Sequence, residues 1–204
     1  MGAIKLNPIK MAEITFQIQG TSPLIVHAWS EKAKRMMRMT PAERKKVLKV
    51  ARNPEREAAE TTYKTTSGKF GIPAMAFKSS LITVAHKDIG LEKTLLKKSM
   101  FVICEDANGV IPFSNKPKER VREDMVRVGM GSTDIRYRTE YTGWKIKVTV
   151  RVSYDALNEH DIANLVNLAG FGAGLCEWRP QKGGDFGRFE IDTNKEFKIK
   201  LLGG

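Results

Sequence analysis

Only two cysteines, Cys104 and Cys176, and three histidines, His27, His86 and His160, occur in 204 residues. Two thiols cannot build a disulfide framework or a four-thiolate zinc site. Neither they nor the dispersed histidines show metal-ligand spacing, so no metal or cofactor is expected. No apolar run approaches the ~20 residues of a membrane-spanning helix. The first thirty residues lack the basic head, apolar centre and small-residue cleavage site of a secretory leader, so a reducing cytoplasm is expected. Phosphate-loop, nucleophile-elbow and dinucleotide glycine patterns are also missing: Gly170-Phe171-Gly172-Ala173-Gly174 has no strand before it. Acidic residues are scarce, 23 against 35 Lys and Arg, and residues 21–69 contain no Asp at all.

The hydrophobic fraction of 41% is enough for a sizeable core, and the formal net charge is +12. That charge is local. Residues 31–69 carry 12 basic and 5 acidic side chains, and residues 115–151 carry 10 and 5. The remaining segments balance. Two confined excesses suggest surfaces addressed to a polyanion, although solvated helix faces would produce the same pattern.

Residues 13–19 alternate Ile14, Phe16 and Ile18 with polar side chains, the period of a half-buried strand. Residues 24–29 extend or bend it. Ser30 is placed to cap a helix. Thr40-Pro41-Ala42-Glu43 combines an N-cap, a first-turn proline and a glutamate, predicting a basic helix to about Arg52 that Asn53-Pro54 breaks. Residues 55–63 read as another helical turn or two. Phe77, Leu81, Val84 and Ala85 recur at helical spacing, with His86 expected to pack beside them and Ile89-Gly90 to end the helix. Residues 94–98 form a short helix or turn. Residues 99–105 read as a strand, 106–109 as a turn and 110–113 as its return strand. Residues 120–128 fit a strand or a helix, and the glycines after them a mobile link. The clearest strand is 144–153: Trp144, Ile146, Val148, Val150 and Val152 face a core, while Lys145, Lys147, Thr149 and Arg151 face a wet, cationic side. Asn158 or Asp155 caps a helix through Ile162, Leu165, Val166 and Leu168 to Gly170, and strands at 189–191 and 197–201 follow. This order predicts an α+β fold with a ferredoxin-like core sheet packed by helices, in one domain over residues 1–204.

Reading nucleic acid without reading sequence takes cations, approachable backbone amides and aromatic faces. His27, Trp29, Lys32, Lys34 and Arg35 combine stacking and phosphate chemistry, although Trp29 equally suits a core. Lys78 and Ser79 stand near a helix start after Pro73, where free amides favour an anion; a solvated lysine is the alternative. Arg136 and Arg138 share one face of a strand, in a binding or a merely structural hairpin. Gly172 and Gly174 belong to a glycine-rich stretch bracketed by Lys182 and Arg188, which suits close phosphate approach or an ordinary helix-to-strand connection. His27 beside Lys32 is also a candidate general base.

Three segments together resemble the RAMP superfamily, the RRM-like proteins that form the backbone of CRISPR effector complexes. They are the strand and turn of residues 16–27 (FQIQGTSPLIVH), the junction of residues 71–81 (GIPAMAFKSSL) and the loop of residues 183–190 (GGDFGRFE). The resemblance spans residues 14–191. It implies an RRM-like core, a helical basic insertion at about 31–69 and a β-hairpin thumb within 106–143 that reaches an adjacent subunit. It also implies that Lys78 contacts a guide backbone. The expected function is a non-catalytic protein that multimerises along single-stranded RNA or DNA, with other effector subunits as further partners and antiviral defence in a prokaryotic cell as the setting. A compact phage or mobile-element relative that binds or anneals single-stranded DNA is a second expectation. A metal-dependent endoribonuclease is a third, and a structural assembly module a fourth.

Overall fold

The chain folds around β1 (Met11–Gly20), whose Ala12, Ile14, Phe16 and Ile18 are wholly buried while the residues between them face the other way. A computed structural model describes residues 9–47, 51–88, 90–129 and 131–202, with the side chains of residues 86–88 left aside. After β1 come β2 (Leu24–Val26), α1 (Glu31–Arg38), α2 (Pro41–Lys46), α3 (Pro54–Glu60), β3 (Gly71–Pro73), α4 (Ala74–Asp88) and α5 (Lys93–Ser99). Then follow β4 (Met100–Ile103), β5 (Val110–Pro112), β6 (Lys118–Val128), β7 (Ser132–Thr142) and β8 (Lys145–Ser153). The chain continues through α6 (Glu159–Gly172), a 3-10 turn (Pro180–Lys182), β9 (Phe189–Ile191) and β10 (Lys198–Leu202). This is a mixed α+β architecture with antiparallel sheets. Among the described residues no helix is long and apolar enough to cross a membrane.

The main sheet has the order β10-β1-β8-β4, with β9 pairing the far end of β1. One face packs against α4 and α6. Phe77, Leu81, Val84 and Ala85 from the first helix and Ile162, Leu165, Val166 and Ala169 from the second join the inward row of β8 in a single core. Asn158, rather than Asp155, caps α6, and its box closes with Asp161. The side chain of His86 and residue Ile89 lie outside the described residues. The opposite face of the sheet is less cationic than the alternation of β8 suggests. Lys145 pairs with Asp192 at 2.7 Å and Arg151 with Glu13 at 2.6 Å, so Lys147 alone of the three is without an ion pair among the described residues.

Two smaller sheets complete the fold. β2 does not extend β1 but pairs with β7, which pairs in turn with β6. β5 is not the return strand of β4: it pairs with β3, Ile72 opposite Ile111, while β4 lies along β8. Sequence proximity favours a hairpin, but the apolar Val110 and Ile111 find their burial beside Ile72 instead. The helix opened by Thr40 ends at Lys46, short of Arg52, and Asn53 begins α3 by accepting from the Arg56 amide.

The hairpin β6–β7 is fastened to the body through charge. Glu140 accepts from Arg120 at 2.7 Å and from Arg122 at 2.7 Å; Arg122 also donates to Asp124 at 2.8 Å, and Arg138 reaches Asp124 at 3.2 Å and Glu177 at 3.6 Å. The Arg122 guanidinium lies 5.1 Å from the ring centre of Trp178 and 4.9 Å from that of Phe186, so the C-terminal loop holds it by its aromatic faces. Burial pushes the Glu140 carboxyl up, but the hydrogen bonds from Arg120 and Arg122 outweigh this and leave its pKa below the ordinary 4.5.

Two outcomes are expected. Arg122→Ala removes the shared partner of the buried Asp124 and Glu140 carboxylates, leaving each with one arginine, and costs about 3 kcal/mol in urea unfolding, whereas Arg120→Ala, at an exposed side chain, costs about 1 kcal/mol or less. A depressed carboxylate pKa contributes stability that is complete above the unfolded value and disappears as pH falls through the folded one. Urea midpoints should therefore drop as pH is lowered below 4.5, and less steeply in Glu140→Gln.

Candidate nucleic-acid interface

Helices α1 and α2 bury none of their residues, and they are held by their own ends. Ser30 accepts from the Ala33 amide, Thr40 and Glu43 form a complete capping box, and Arg44 donates to the terminal carbonyls of Met36 and Met37 at 2.8 and 3.3 Å. Positive charge in the last turn of each helix suits its dipole. Lys34 is tied to Glu31 at 2.6 Å. Lys32, Arg35, Arg38, Lys45 and Lys46 have no ion pair among the described residues, so this arm presents open cationic charge.

Beside the arm lies a groove of about 670 Å³, walled by the segment after β2, the start of α1, α3 and the middle of β7. It brings together His27, Trp29 and Lys32 from one cluster with Arg136 and Tyr137 from the other, more than a hundred residues apart. Trp29 is 65% exposed, so it is a platform and not a core residue. Enclosure, together with the charge of Arg138, holds the His27 pKa below its usual 6.5 against the opposing pull of Glu177, which leaves the imidazole neutral at pH 7. Its Nδ1 is buried without a partner among the described residues. Arg52 closes one side of the groove. It grips Glu57 at 2.6 Å, reaches Asp134 at 3.3 Å and lies over the Tyr137 ring at 5.1 Å.

Other residues singled out in the sequence lie elsewhere. Arg138 shares a face of β7 with Arg136 but is 2% exposed and spent on Asp124 and Glu177, so it is a structural cation. Lys78 sits in the second turn of α4, not the first. Its ammonium lies 4.7 Å from the Phe101 ring centre and near the Lys97 carbonyl. Ser79 is exposed and lines a separate cavity of about 280 Å³ with Tyr63, Met75 and Arg179. Gly172 belongs to the last turn of α6, and the buried Gly174 donates its amide to Ala169, so neither offers a free amide loop. Gly184 and Gly187 serve internal packing: a Cβ there would overlap the carbonyls of Trp178 and Leu175. Lys182 is exposed on the 3-10 turn. Arg188 is half-buried, with its amide on Ser22 and its Nε enclosed without a partner among the described residues.

Sequence reasoning missed Arg52, Glu57, Asp134 and Glu177. Asp134 reaches the groove only through the β6–β7 register, and Glu177 only through its bridge to Ile25. Arg52 and Glu57 flank the Asn53-Pro54 helix start, the one local signal available. Among the described residues no three His, Cys, Asp or Glu side chains are grouped to hold a metal. Burial at its sulfur pushes the Cys176 thiol up to about 12, far from thiolate chemistry.

No protein-family model and no curated protein matches the chain. A solved structure does: a chain of the Type III-B Cmr-beta complex bound to cognate target RNA, seen by cryo-electron microscopy, is similar to it with a TM-score of 0.58 at 10% identity. The match covers 95% of this chain and 61% of that one, so this protein spans about three-fifths of its neighbour's length. At that identity the likeness concerns the fold.

Proposed function

We propose that the chain is a non-catalytic RNA-binding subunit of a CRISPR-type effector assembly, with copies arranged along a single strand. The observation that carries this reading is the convergence of an exposed Trp29, Lys32 and Arg136 on one groove beside an arm of unpaired cations. Aromatic faces and open cations are what single strands require: bases stack, and phosphates release counterions to Lys and Arg. The order β10-β1-β8-β4, with α4 and α6 on one face, supports a ferredoxin-like core and RAMP membership. The neighbour in Cmr-beta, a complex bound to its target RNA, supports the assignment to effector assemblies. The hairpin β6–β7 is the element for reaching an adjacent copy. No catalytic role is assigned to His27 or Cys176, since the His27 Nδ1 points inward and the Cys176 thiol stays protonated.

Electrophoretic titration with single-stranded RNA at about 50 and 200 mM salt tests the proposal. Affinity should fall with salt with a logarithmic slope of about −0.7 per contacted phosphate. The double change Lys32→Glu with Arg35→Glu, on exposed side chains, should weaken binding about tenfold or more at the lower salt. Absence of binding, or affinity indifferent to salt, would overturn the reading.

A further inference from the structure

The interior of the groove has the opposite charge balance from the arm outside it. Its walls carry Lys32, Arg52 and Arg136 against the carboxylates Glu57, Glu60, Asp134 and Glu177, and its histidine is neutral. A phosphate gains nothing by entering such a space, while open cations wait on α1 and α2. The groove therefore suits the uncharged part of a nucleotide, and its volume of about 670 Å³ is ample for a purine base.

The carboxylates are not equally available. Arg52 holds Glu57 and Asp134, and Arg56 holds Glu60 at 2.8 Å. Among the described residues Glu177 has only a long contact of 3.6 Å from Arg138, which is itself bound to Asp124. Its backbone is fixed, because its amide donates to Ile25 at 3.0 Å. An ionised carboxylate is a pure acceptor with two parallel oxygens. Among the common bases, guanine alone presents two adjacent donors on its pairing edge, N1–H and the N2 amino group. Adenine and cytosine present one amino group there, and uracil one imino group. Trp29 supplies a flat face on the same groove.

We propose that the groove takes an unpaired guanine base, stacked on Trp29 with its N1–H and N2 amino donors on the Glu177 carboxylate, while its phosphates remain outside on α1. This rests on the single-strand reading above and adds a base preference to it.

The test compares fluorescently labelled nine-residue RNAs: all uridine, uridine with one central guanosine, and uridine with inosine at that place, which lacks the N2 amino group. The full chain should bind the guanosine strand about tenfold more tightly than the all-uridine strand, in the range of a bidentate base contact. Inosine should lose most of that gain. Glu177→Gln and Trp29→Ala should each bring the guanosine strand down toward the all-uridine level. Equal affinity for guanosine and uridine strands, or a preference that survives Glu177→Gln, would overturn the base proposal and leave the single-strand reading standing. Failure to bind any strand would overturn both.

Discussion

Asp124 and Glu140 lie almost without access to solvent, and Arg122 is the one cation among the described residues that pairs with both of them. That guanidinium is also the only cation in the chain of ion pairs clasped by two aromatic rings, Trp178 and Phe186. A planar, weakly hydrated cation suits such a place; a lysine would lose both the fork of hydrogen bonds and the stacking. The contact joins the hairpin to the C-terminal loop and, through Arg138 and Glu177, to the strand β2 that pairs with β7. Arg136 and Tyr137 are placed by the same register that places Arg138, so the buried end of β7 sets the position of its exposed end.

The positive charge of the chain has two separate uses. On the hairpin, Arg120, Arg122 and Arg138 are spent on Asp124, Glu140 and Glu177, while Arg136 is left to face the groove. On α1 and α2 the cations remain open, because those helices bury nothing and bring too few carboxylates to neutralise themselves. Net charge by segment therefore does not distinguish the paired arginines of the hairpin from the open cations of the arm. Only the arrangement of acidic partners separates the two cases. Asp124, Glu140 and Glu177 are far from Arg138 in sequence terms or hidden by strand register, but within 4 Å of the network's arginines in space.

Legibility followed the range of the interactions. The alternation in β8, the capping box of α2 and the Ser30 cap were readable because each is settled by residues within a few positions, whereas the cap of α6 was left between Asn158 and Asp155. The partner of β5 was not, since Val110 and Ile111 would satisfy a hairpin pattern with β4 as well as they satisfy β3; tertiary burial decided. Trp29 and Trp144 show the same limit. Both are tryptophans beside apolar residues, yet one is 65% exposed and the other wholly enclosed, its indole N–H donated to the Ser22 carbonyl at 2.9 Å. The glycine-rich stretch misled for a related reason: its glycines are needed where the loop passes against its own carbonyls, and nothing in their spacing distinguishes that from an anion cradle.

The pairing of β1 has a consequence for how the chain comes together. Its neighbours in the sheet, β8, β9 and β10, all come from residues 145–202, so β1 is satisfied only by segments more than a hundred residues later in the chain. Loop closure over such distances is slow, and folding rates fall as contacts become more distant in sequence. During synthesis the row Ala12, Ile14, Phe16 and Ile18 must wait on the ribosome without its sheet, exposing an unpaired apolar strand for as long as translation takes to reach β8.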